Sequence, residues 1–480
     1  MGVLSNVMGL CMDGRQAARC EENLSMCDGG QGDLALPKRL FLLFSDGNGA
    51  YYLAFFLHVL WVWLDRTTLW DIDTSVVAMI VEKMVQVVVL MLLAWAFVRQ
   101  RATRREWASA LAIGVVGFIV WRTAKEGWLF WLALFVICGK GVRLKPLAYL
   151  TFFSVVAVLL FAAVASNVGL IDNQIMVRGS NGVIRNPMGF SHPNSFGAAL
   201  LVACMSLVPL VPSKRCAVVS IPCLAAALLS LFVADSRTSF LCLLVVAVAL
   251  IVYSATLRRS MGRRTGVLVL FLVIAAAVVS FGYMVFFDPS RPLDALLDSA
   301  LSGRLRLAHT YYMDHSPSLF GYGYADGTPY WANGKEYTFV VDNMFAHVLL
   351  RYGIVACFLF LSGLLVLCIK MVREGYFGPV LFGLAIFIAY GMSEALGCRV
   401  DCNFLIISLW TVLYHRPISD FDDTEGPCMP GALEDNVPKP DAMCPSEGDS
   451  EAIGRGERMN ELSFRSFIMA PIRAVKSRRG

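Results

Sequence analysis

The stretch of sequence that decides the fold is GVLVLFLVIAAAVVSFGYMVFF, residues 266–287, which contains no Asp, Glu, Lys, Arg or His. A bilayer core about 30 Å thick needs roughly 20 apolar residues per helix, so this run predicts a membrane-spanning helix. Its two flanks differ. The segment before it is basic, with Arg258, Arg259, Arg263 and Arg264, and the segment after it, 288–342, is long and rich in polar residues.

The composition of the whole chain agrees with a membrane protein. Of its 480 residues 57% are hydrophobic and 16% are charged, whereas soluble chains have about 25% charged residues. An ordinary cytosolic enzyme and a disordered protein are therefore excluded. The net charge of +5 is too small to indicate a nucleic-acid partner.

Apolar runs similar to 266–287 recur along the chain and predict an all-α integral membrane protein. About 12 transmembrane helices are expected, or ten if the pair at 107–138 is tilted or re-entrant. The candidates are 50–64, 76–98, 107–121, 127–138, 147–170, 194–211, 216–233, 239–257, 266–287, 343–369, 378–393 and 403–414.

The distribution of Lys and Arg predicts the orientation, because cytoplasmic loops carry an excess of these residues. Basic residues occur in alternate connections, at 99–105, 140–145, 214–215, 258–264 and 370–373. We expect these connections and both termini to be cytoplasmic. The predicted organisation is a cytoplasmic N-terminal tail (1–38), a polytopic membrane domain (39–415) with one long extracytoplasmic loop (288–342), and a disordered cytoplasmic tail (416–480).

Most of the remaining ionisable residues at or near membrane depth fall in the predicted outer connections, where each is a functional candidate. Arginines in partly desolvated sites suit a diphosphate, and carboxylates or imidazoles suit proton transfer from a hydroxyl. The alternative for any one arginine is that it extends to lipid headgroups. The set is Arg178, Arg185, His192, Asp235, Arg237, Arg304, Arg306, His309, His315, Asp342, His347, Glu394, Arg399 and Asp401.

Two of these candidates also have a purely structural interpretation. His192 lies in a Pro- and Gly-containing turn before a predicted helix, so it is either aimed inward for chemistry or a passive cap. Asp342 begins an apolar helix, where an Asp-Asn pair is typical of an N-cap. Asp342 and His347 are five residues apart, so a regular helix would not place them on one face.

Four short motifs resemble the signatures of bacterial O-antigen polymerases, O-antigen ligases and Gram-positive capsule polymerases. They are GFSHPNSFG at 189–197, DSRTSFL at 235–241, SGR at 302–304 followed by PSLFGYG at 317–323, and DN at 342–343 followed by Gly353. The resemblance covers roughly residues 145–415. It implies a glycosyltransferase C-type architecture in the bacterial plasma membrane, without a metal or cofactor.

The resemblance also implies a reaction and roles for individual residues. Such an enzyme moves a glycan from undecaprenyl diphosphate to the hydroxyl of a lipid-linked repeat unit on the outer face of the membrane. Its partners would be the lipid-linked oligosaccharide, membrane lipid, a chain-length regulator and a flippase, and not nucleic acid. Arg185, Arg237, Arg304 and Arg178 would bind the diphosphate, and Asp342, His192 or His347 would act as the catalytic base.

Two alternative functions remain at this stage. Ligases of the superfamily typically have a histidine where this chain has Asp342, which favours a polymerase over a ligase. A transporter or flippase of a lipid-linked or anionic solute would show inverted repeats and broken helices. The sequence shows no such repeat.

Overall fold

The structure is a computed structural model that describes residues 47–70, 75–177, 182–256, 262–301, 303–323, 329–332, 335–338, 341–376 and 378–422. The predicted N-terminal tail, Arg178 and the chain beyond residue 422 lie outside the described residues. In the described part helices predominate.

The helices follow the predicted apolar runs closely. They are α1 (Asn48–Asp65), α2 (Ser75–Arg99), α3 (Arg104–Ala124), α4 (Trp128–Ile137), α5 (Leu144–Asn167), α6 (Pro193–Leu207), α7 (Ser220–Phe232), α8 (Arg237–Thr256), α9 (Gly262–Phe286), α10 (Pro292–Ala300), α11 (Arg304–Asp314), α12 (Met344–Arg373), α13 (Pro379–Gly391) and α14 (Trp410–Leu413).

Eight helical segments of the described chain are long and apolar enough to cross a membrane, which makes this a multi-pass membrane protein. Helix α1 has 18 residues but is not among the eight, and three further apolar segments are shorter, at Trp128–Ile137, Pro379–Gly391 and Phe404–Leu413. Each predicted run thus coincides with a helical segment. The total of ten to twelve spans stays a prediction.

Two small hairpins add β structure to the predicted all-α fold. Strand β1 (Met176–Val177) pairs antiparallel with β2 (Ile184–Arg185), and β3 (Pro329–Ala332) pairs antiparallel with β4 (Lys335–Thr338). Both hairpins lie in connections that we predicted to be outside the membrane. The long loop 288–342 therefore contains local structure, namely α10, α11 and the second hairpin.

The connections predicted to lie outside meet one another in the structure. The backbone N–H of Ser191 donates to the carbonyl of Arg66 at 2.9 Å, and that of Asn186 donates to the carbonyl of Val233 at 2.8 Å. These contacts join three connections that are far apart in sequence. We expect this end to be extracytoplasmic.

The basic connections around 99–105 and 140–145 meet each other, and the second also meets the chain that follows α14. Lys140 forms an ion pair with Glu106 at 2.9 Å, and the N–H of Leu144 donates to the carbonyl of Phe421 at 2.8 Å. Phe421 is fully buried. Ile418 is buried as well, so the start of the predicted tail packs against the helices.

Helix α12 is broken at Gly353, whereas the sequence predicted one continuous span. Gly353 has φ 88° and ψ 176°, which is not helical and is accessible mainly to glycine. The break frees backbone groups that pair with the PSLFGYG segment: Tyr322 donates to the carbonyl of Arg351 at 3.1 Å, and Ile354 donates to that of Ser318 at 2.9 Å. A Cβ on Gly353 would lie 2.4 Å from the backbone nitrogen of Gly321.

Candidate functional site

Arg304, the first residue of α11, lies between two carboxylates at the predicted outer end of the protein. Its Nε is 2.9 Å from Oδ2 of Asp342, and its Nη2 is 2.6 Å from Oε1 of Glu394. The side chains of Arg304 and Glu394 are only 15% and 10% exposed. In a site this well buried from solvent, charge-assisted hydrogen bonds are stronger than they are in water.

Arg185 reaches the same group through an asparagine. Its Nη2 donates to Oδ1 of Asn194 at 2.6 Å, and Nδ2 of Asn194 donates to Oε1 of Glu394 at 2.9 Å. The structure therefore links two of the arginines predicted to bind diphosphate through one carboxylate. We call Arg185, Asn194, Arg304, Asp342 and Glu394 the Arg304 network.

Burial and charge shift the pKa values within the Arg304 network. Burial raises the pKa of Glu394 to about 7, although the positive charge of Arg304 opposes the shift. Burial likewise raises the pKa of Asp342 against the same opposing charge. Burial alone would lower the pKa of Arg304, but Glu394 and Asp342 raise it instead, so the guanidinium stays charged. Glu394 is thus poised to gain or lose a proton near neutral pH.

The sequence motifs pack closely around this network. Asn194 belongs to GFSHPNSFG, Arg304 to SGR and Asp342 to DN. DSRTSFL packs against the first of these, because a Cβ on Gly197 would lie 2.5 Å from Oγ of Ser236. Glycine is needed at position 197 for this close approach. The four motifs therefore form one continuous region.

The alternative that Asp342 caps α12 is wrong. The N-cap is Asn343, whose Oδ1 accepts two backbone N–H groups of the first helical turn, each at 3.0 Å. Its Nδ2 also donates to the carbonyl of Met392 at 2.9 Å. Because Asn343 supplies the cap, the carboxylate of Asp342 is available to Arg304.

His192 has the contact that the capping interpretation predicts. It is the N-cap of α6, and its Nδ1 accepts the backbone N–H of Asn194 at 3.1 Å. Desolvation and the nearby charges of Arg185 and Arg304 lower the pKa of His192 to about 4. The ring is therefore neutral at pH 7.

His347 lies in the short first part of α12 and belongs to a second buried group. Its Nε2 is 3.0 Å from Oε2 of Glu126, which also lies 3.2 Å from Nε of Arg351 and accepts a hydrogen bond from the hydroxyl of Tyr352 at 2.8 Å. The imidazole stacks on Trp128 with ring centroids 5.0 Å apart. Burial alone would raise the pKa of Glu126, but the charges of His347 and Arg351 lower it to about 2. His347 is thus held by an acidic partner.

Arg237 starts α8 and is more accessible than the other described arginines predicted to bind diphosphate. Its side chain is 54% exposed, and its Nε lies 3.3 Å from Oδ1 of Asp235. Asp235 has φ 44°, a left-handed conformation that asparagine and aspartate tolerate better than most residues. The predicted role of Arg178 falls outside the described residues.

Part of the region just described matches a known family. Residues 222–361 match the family model described as O-Antigen ligase. This segment of the chain is similar to the O-antigen ligase domain. This match confirms the resemblance to the O-antigen polymerase and ligase superfamily and supports a membrane enzyme related to surface polysaccharide. No curated protein and no solved structure matches the chain.

The segment that matches the family includes only part of the Arg304 network. Arg304 and Asp342 lie within the matched residues, whereas Arg185, Asn194 and Glu394 lie outside them. Glu394 was visible in the sequence as a scarce acid near membrane depth, but nothing in the sequence indicated its contact with Arg304.

Glu126 is a second functional candidate that sequence reasoning missed. It lies in the short connection between α3 and α4, next to Gly127, and its acidic side chain is surrounded by apolar runs. That placement is the signal that could have identified it.

Proposed function

We propose that this protein is a surface polysaccharide polymerase that transfers a glycan from undecaprenyl diphosphate to the hydroxyl of a lipid-linked repeat unit, on the outer face of the bacterial plasma membrane. The observation that carries the proposal is the position of Arg304, which contacts Asp342 and Glu394 and is linked to Arg185 through Asn194. This arrangement joins cations suited to a diphosphate with a carboxylate suited to proton transfer.

The arginines would bind and stabilise the departing diphosphate. A guanidinium offers a planar fork of donors that matches phosphate oxygens and keeps its charge at any physiological pH. Arg304 and Arg185 form the buried part of this site, and Arg237, half-exposed, and Arg178 would complete it. Preorganised positive charge of this kind is usually the largest contribution to such catalysis.

In the proposed step, the acceptor hydroxyl oxygen attacks the anomeric carbon of the donor glycan. A new glycosidic C–O bond forms while the bond between the anomeric carbon and the phosphate oxygen breaks. The electron pair of the broken bond leaves with undecaprenyl diphosphate, and the hydroxyl proton passes to a base of the enzyme. Atoms and charge balance without a metal or a further reactant.

The base is best assigned within the Arg304 network. A general base works best with a pKa near the operating pH, which Glu394 satisfies at about 7 and His192 at about 4 does not. His347 is engaged by Glu126. Asp342 shares Arg304 with Glu394 and is the second candidate. We therefore propose Glu394 as the base, with Asp342 holding Arg304 in place.

Transfer to a different acceptor, as in an O-antigen ligase, is the second candidate function. The description of the matching family favours it. Asp342, where ligases typically have histidine, favours the polymerase. The two functions differ in their products, because only a polymerase extends its own product repeatedly.

Transport of a lipid-linked solute is favoured by one feature, the broken helix α12. The break, however, is filled by the backbone of 318–322, which hydrogen-bonds on both sides of Gly353. It therefore joins two signature motifs rather than opening a substrate path.

The proposal is tested by incubating the purified full-length protein, in lipid nanodiscs, with a repeat unit linked to undecaprenyl diphosphate. A polymerase gives a ladder of products of increasing length and releases undecaprenyl diphosphate. A ligase gives one product, and only when a separate acceptor is added. A transporter moves the lipid-linked repeat across a vesicle membrane and forms no new glycosidic bond.

A further inference from the structure

A cleft of about 300 Å³ lies beside the second buried group. It is bounded by residues of α1, α2, α3 and α4 and by the connection that carries Arg399 and Asp401. Neither the family match, which begins at residue 222, nor the proposed reaction accounts for most of these residues. The function of the cleft must therefore be inferred from the chemical character of the residues that line it.

One wall of the cleft is aromatic. Its rings are partly exposed rather than buried, and two of them, Trp121 and Phe130, are stacked with centroids 5.0 Å apart and planes 9° apart. Partly exposed rings offer a flat face to a ligand at a small loss of conformational entropy. The aromatic residues of this wall are Trp61, Trp121, Trp128, Phe130 and Trp131.

The cleft is also lined by polar side chains whose charges balance. The acids are Asp65, Glu82 and Asp401, and the cations are Lys83, Lys125 and Arg399. Several of these groups are held in place, since Gln86 donates to Glu82 at 2.6 Å and Arg399 lies 3.2 Å from Asp401. Burial alone would raise the pKa of Asp401, but Arg399 and Arg66 hold it well below its usual range, so it remains a hydrogen-bond acceptor.

This combination of aromatic and charge-balanced polar residues favours a sugar ring over a lipid chain or a diphosphate as the ligand of the cleft. A lipid chain would need an apolar lining, such as that of a separate cavity of about 240 Å³ lined by residues including Ile113, Leu132 and Phe360. A diphosphate would need an excess of positive charge, which the cleft lacks. A sugar ring has an apolar C–H face and a rim of hydroxyl groups, and both parts find a partner here.

The lining of the cleft also contacts the second buried group. Trp128 lines the cleft, stacks on His347 and lies 4.3 Å beneath the guanidinium of Arg399. The backbone N–H of His347 in turn donates to the carbonyl of Asn343 at 2.8 Å, and the preceding residue, Asp342, contacts Arg304. The lining of the cleft is therefore linked to the Arg304 network through Trp128 and His347.

From these observations we infer that the cleft binds sugar rings of the acceptor glycan. The inference rests on the proposed function, because it assigns the cleft to the acceptor and the Arg304 network to the donor diphosphate. The aromatic wall stacks on the ring faces, and the charged lining exchanges hydrogen bonds with the hydroxyl groups. The residues that act in this way are Trp61 and Trp131 among the aromatic residues and Lys83 and Gln86 among the polar ones.

The test measures binding of free oligosaccharide, separately from catalysis. The probe is a set of oligosaccharides of one and two repeat units, released by hydrolysis from the surface polysaccharide of the host. Binding to the full-length protein in nanodiscs is followed by saturation-transfer NMR. Trp61→Ala should weaken binding about tenfold, since removing an aromatic anchor typically costs more than about 1 kcal/mol. The matched control Trp107→Ala, on α3 outside the cleft, should leave binding unchanged.

A second variant, at an exposed position, keeps the test valid if Trp61→Ala does not fold. Lys83 is 63% exposed, so Lys83→Ala should fold normally and weaken binding roughly threefold, as expected for the loss of one hydrogen bond. Normal binding by both Trp61→Ala and Lys83→Ala would overturn the inference. So would displacement of the oligosaccharide by inorganic pyrophosphate.

The failure of this inference can be distinguished from that of the proposed function. If the wild-type protein binds oligosaccharide in the cleft but builds no ladder, the function fails and a saccharide-binding cleft remains. If the ladder forms and neither variant weakens binding, the function stands and the cleft assignment fails. Arg304→Ala should bind the free oligosaccharide as tightly as wild type.

Discussion

The guanidinium of Arg304 lies 2.6 Å from the carboxylate of Glu394, a residue 90 positions further along the chain. This contact joins the start of a helix in the long segment 288–342 to the connection that follows α13. Because Asp342 also contacts Arg304, the arginine carries two acidic partners before any substrate arrives. An entering diphosphate would have to compete with these two carboxylates for Arg304.

The first prediction concerns the pH dependence of glycan transfer. The pKa of Glu394 is raised to about 7, so its basic form increases as the pH rises through neutrality. The wild-type rate should rise between about pH 6 and 8 and then level off. Glu394→Gln should lower the rate at least about a hundredfold and remove this rise. Initial rates of polymer formation across this pH range check both results.

Asp288→Asn is the control for the first prediction, because Asp288 lies in the same outer segment and its side chain is 42% exposed. It should keep the wild-type rate and pH profile. A Glu394→Gln protein with the normal rise would assign the base elsewhere, most directly to Asp342.

The second prediction concerns the stability supplied by Glu126. Arg351 and His347 are 5% and 3% exposed, and Glu126→Gln removes the negative charge that faces both. Breaking such a buried group typically costs about 3 to 5 kcal/mol. The free energy of unfolding, measured by denaturant titration in detergent, should fall by that order, whereas the exposed-pair variant Asp288→Asn should change it by about 0.5 kcal/mol or less.

The direction in which pH changes the stabilisation by Glu126 follows from the lowered pKa of this residue, about 2. The stabilisation is complete above the unfolded-state pKa of roughly 4.3 and is lost as the pH falls toward 2. The stability difference between wild type and Glu126→Gln should therefore shrink over this acidic range. A difference that does not depend on pH there would contradict the ion-pair assignment.

The third prediction concerns the break in α12. Gly353→Ala forces a side chain into a left-handed backbone conformation, and its Cβ would meet the backbone of Gly321 at 2.4 Å. We expect a loss of at least about 2 kcal/mol in the free energy of unfolding. Gly282→Ala is the matched control, since no atom lies within 4 Å of its Cβ position in α9 and alanine favours a helix by up to about 1 kcal/mol. If the two variants were equally stable, the conclusion that only glycine fits the break at position 353 would be wrong.

The sequence could predict the helices but not which connections meet. Runs such as 266–287 are apolar over the length of a bilayer, and that property is local. The contacts of Glu394 with Arg304 and of Glu126 with His347 join residues 90 and 221 positions apart, so no local pattern indicates them. The break at Gly353 was missed because one glycine in an apolar run is compatible with a continuous helix.

The candidate site was predictable in part for a related reason. Charges are scarce in this chain, so Arg185, Arg304 and Asp342 were conspicuous in the predicted outer connections. Their roles depend on partners that hydropathy does not identify. Asn343 rather than Asp342 caps α12, and His192 is an N-cap with a lowered pKa.

The fourth prediction tests the orientation. The nine cysteines of the described residues are buried, so replacing Cys11, Cys20, Cys27, Cys428 and Cys444 by serine should leave little background labelling. In that protein, Ser316→Cys in the long outer segment should react with a membrane-impermeant maleimide on intact cells, and Arg101→Cys only after permeabilisation. Both positions are exposed. The opposite pattern would reverse the orientation.

The central claim is that Arg304 supports transfer of a glycan from a lipid diphosphate, and the reconstituted polymerisation assay tests it most directly. Wild type and Arg291→Ala, whose side chain is 62% exposed in the same segment, should both build a ladder of products. Arg304→Ala, shown to be folded, should be slower by about a hundredfold or more, because an electrostatic contribution to the transition state is lost. A full ladder from Arg304→Ala, or no ladder from wild type, would contradict the account.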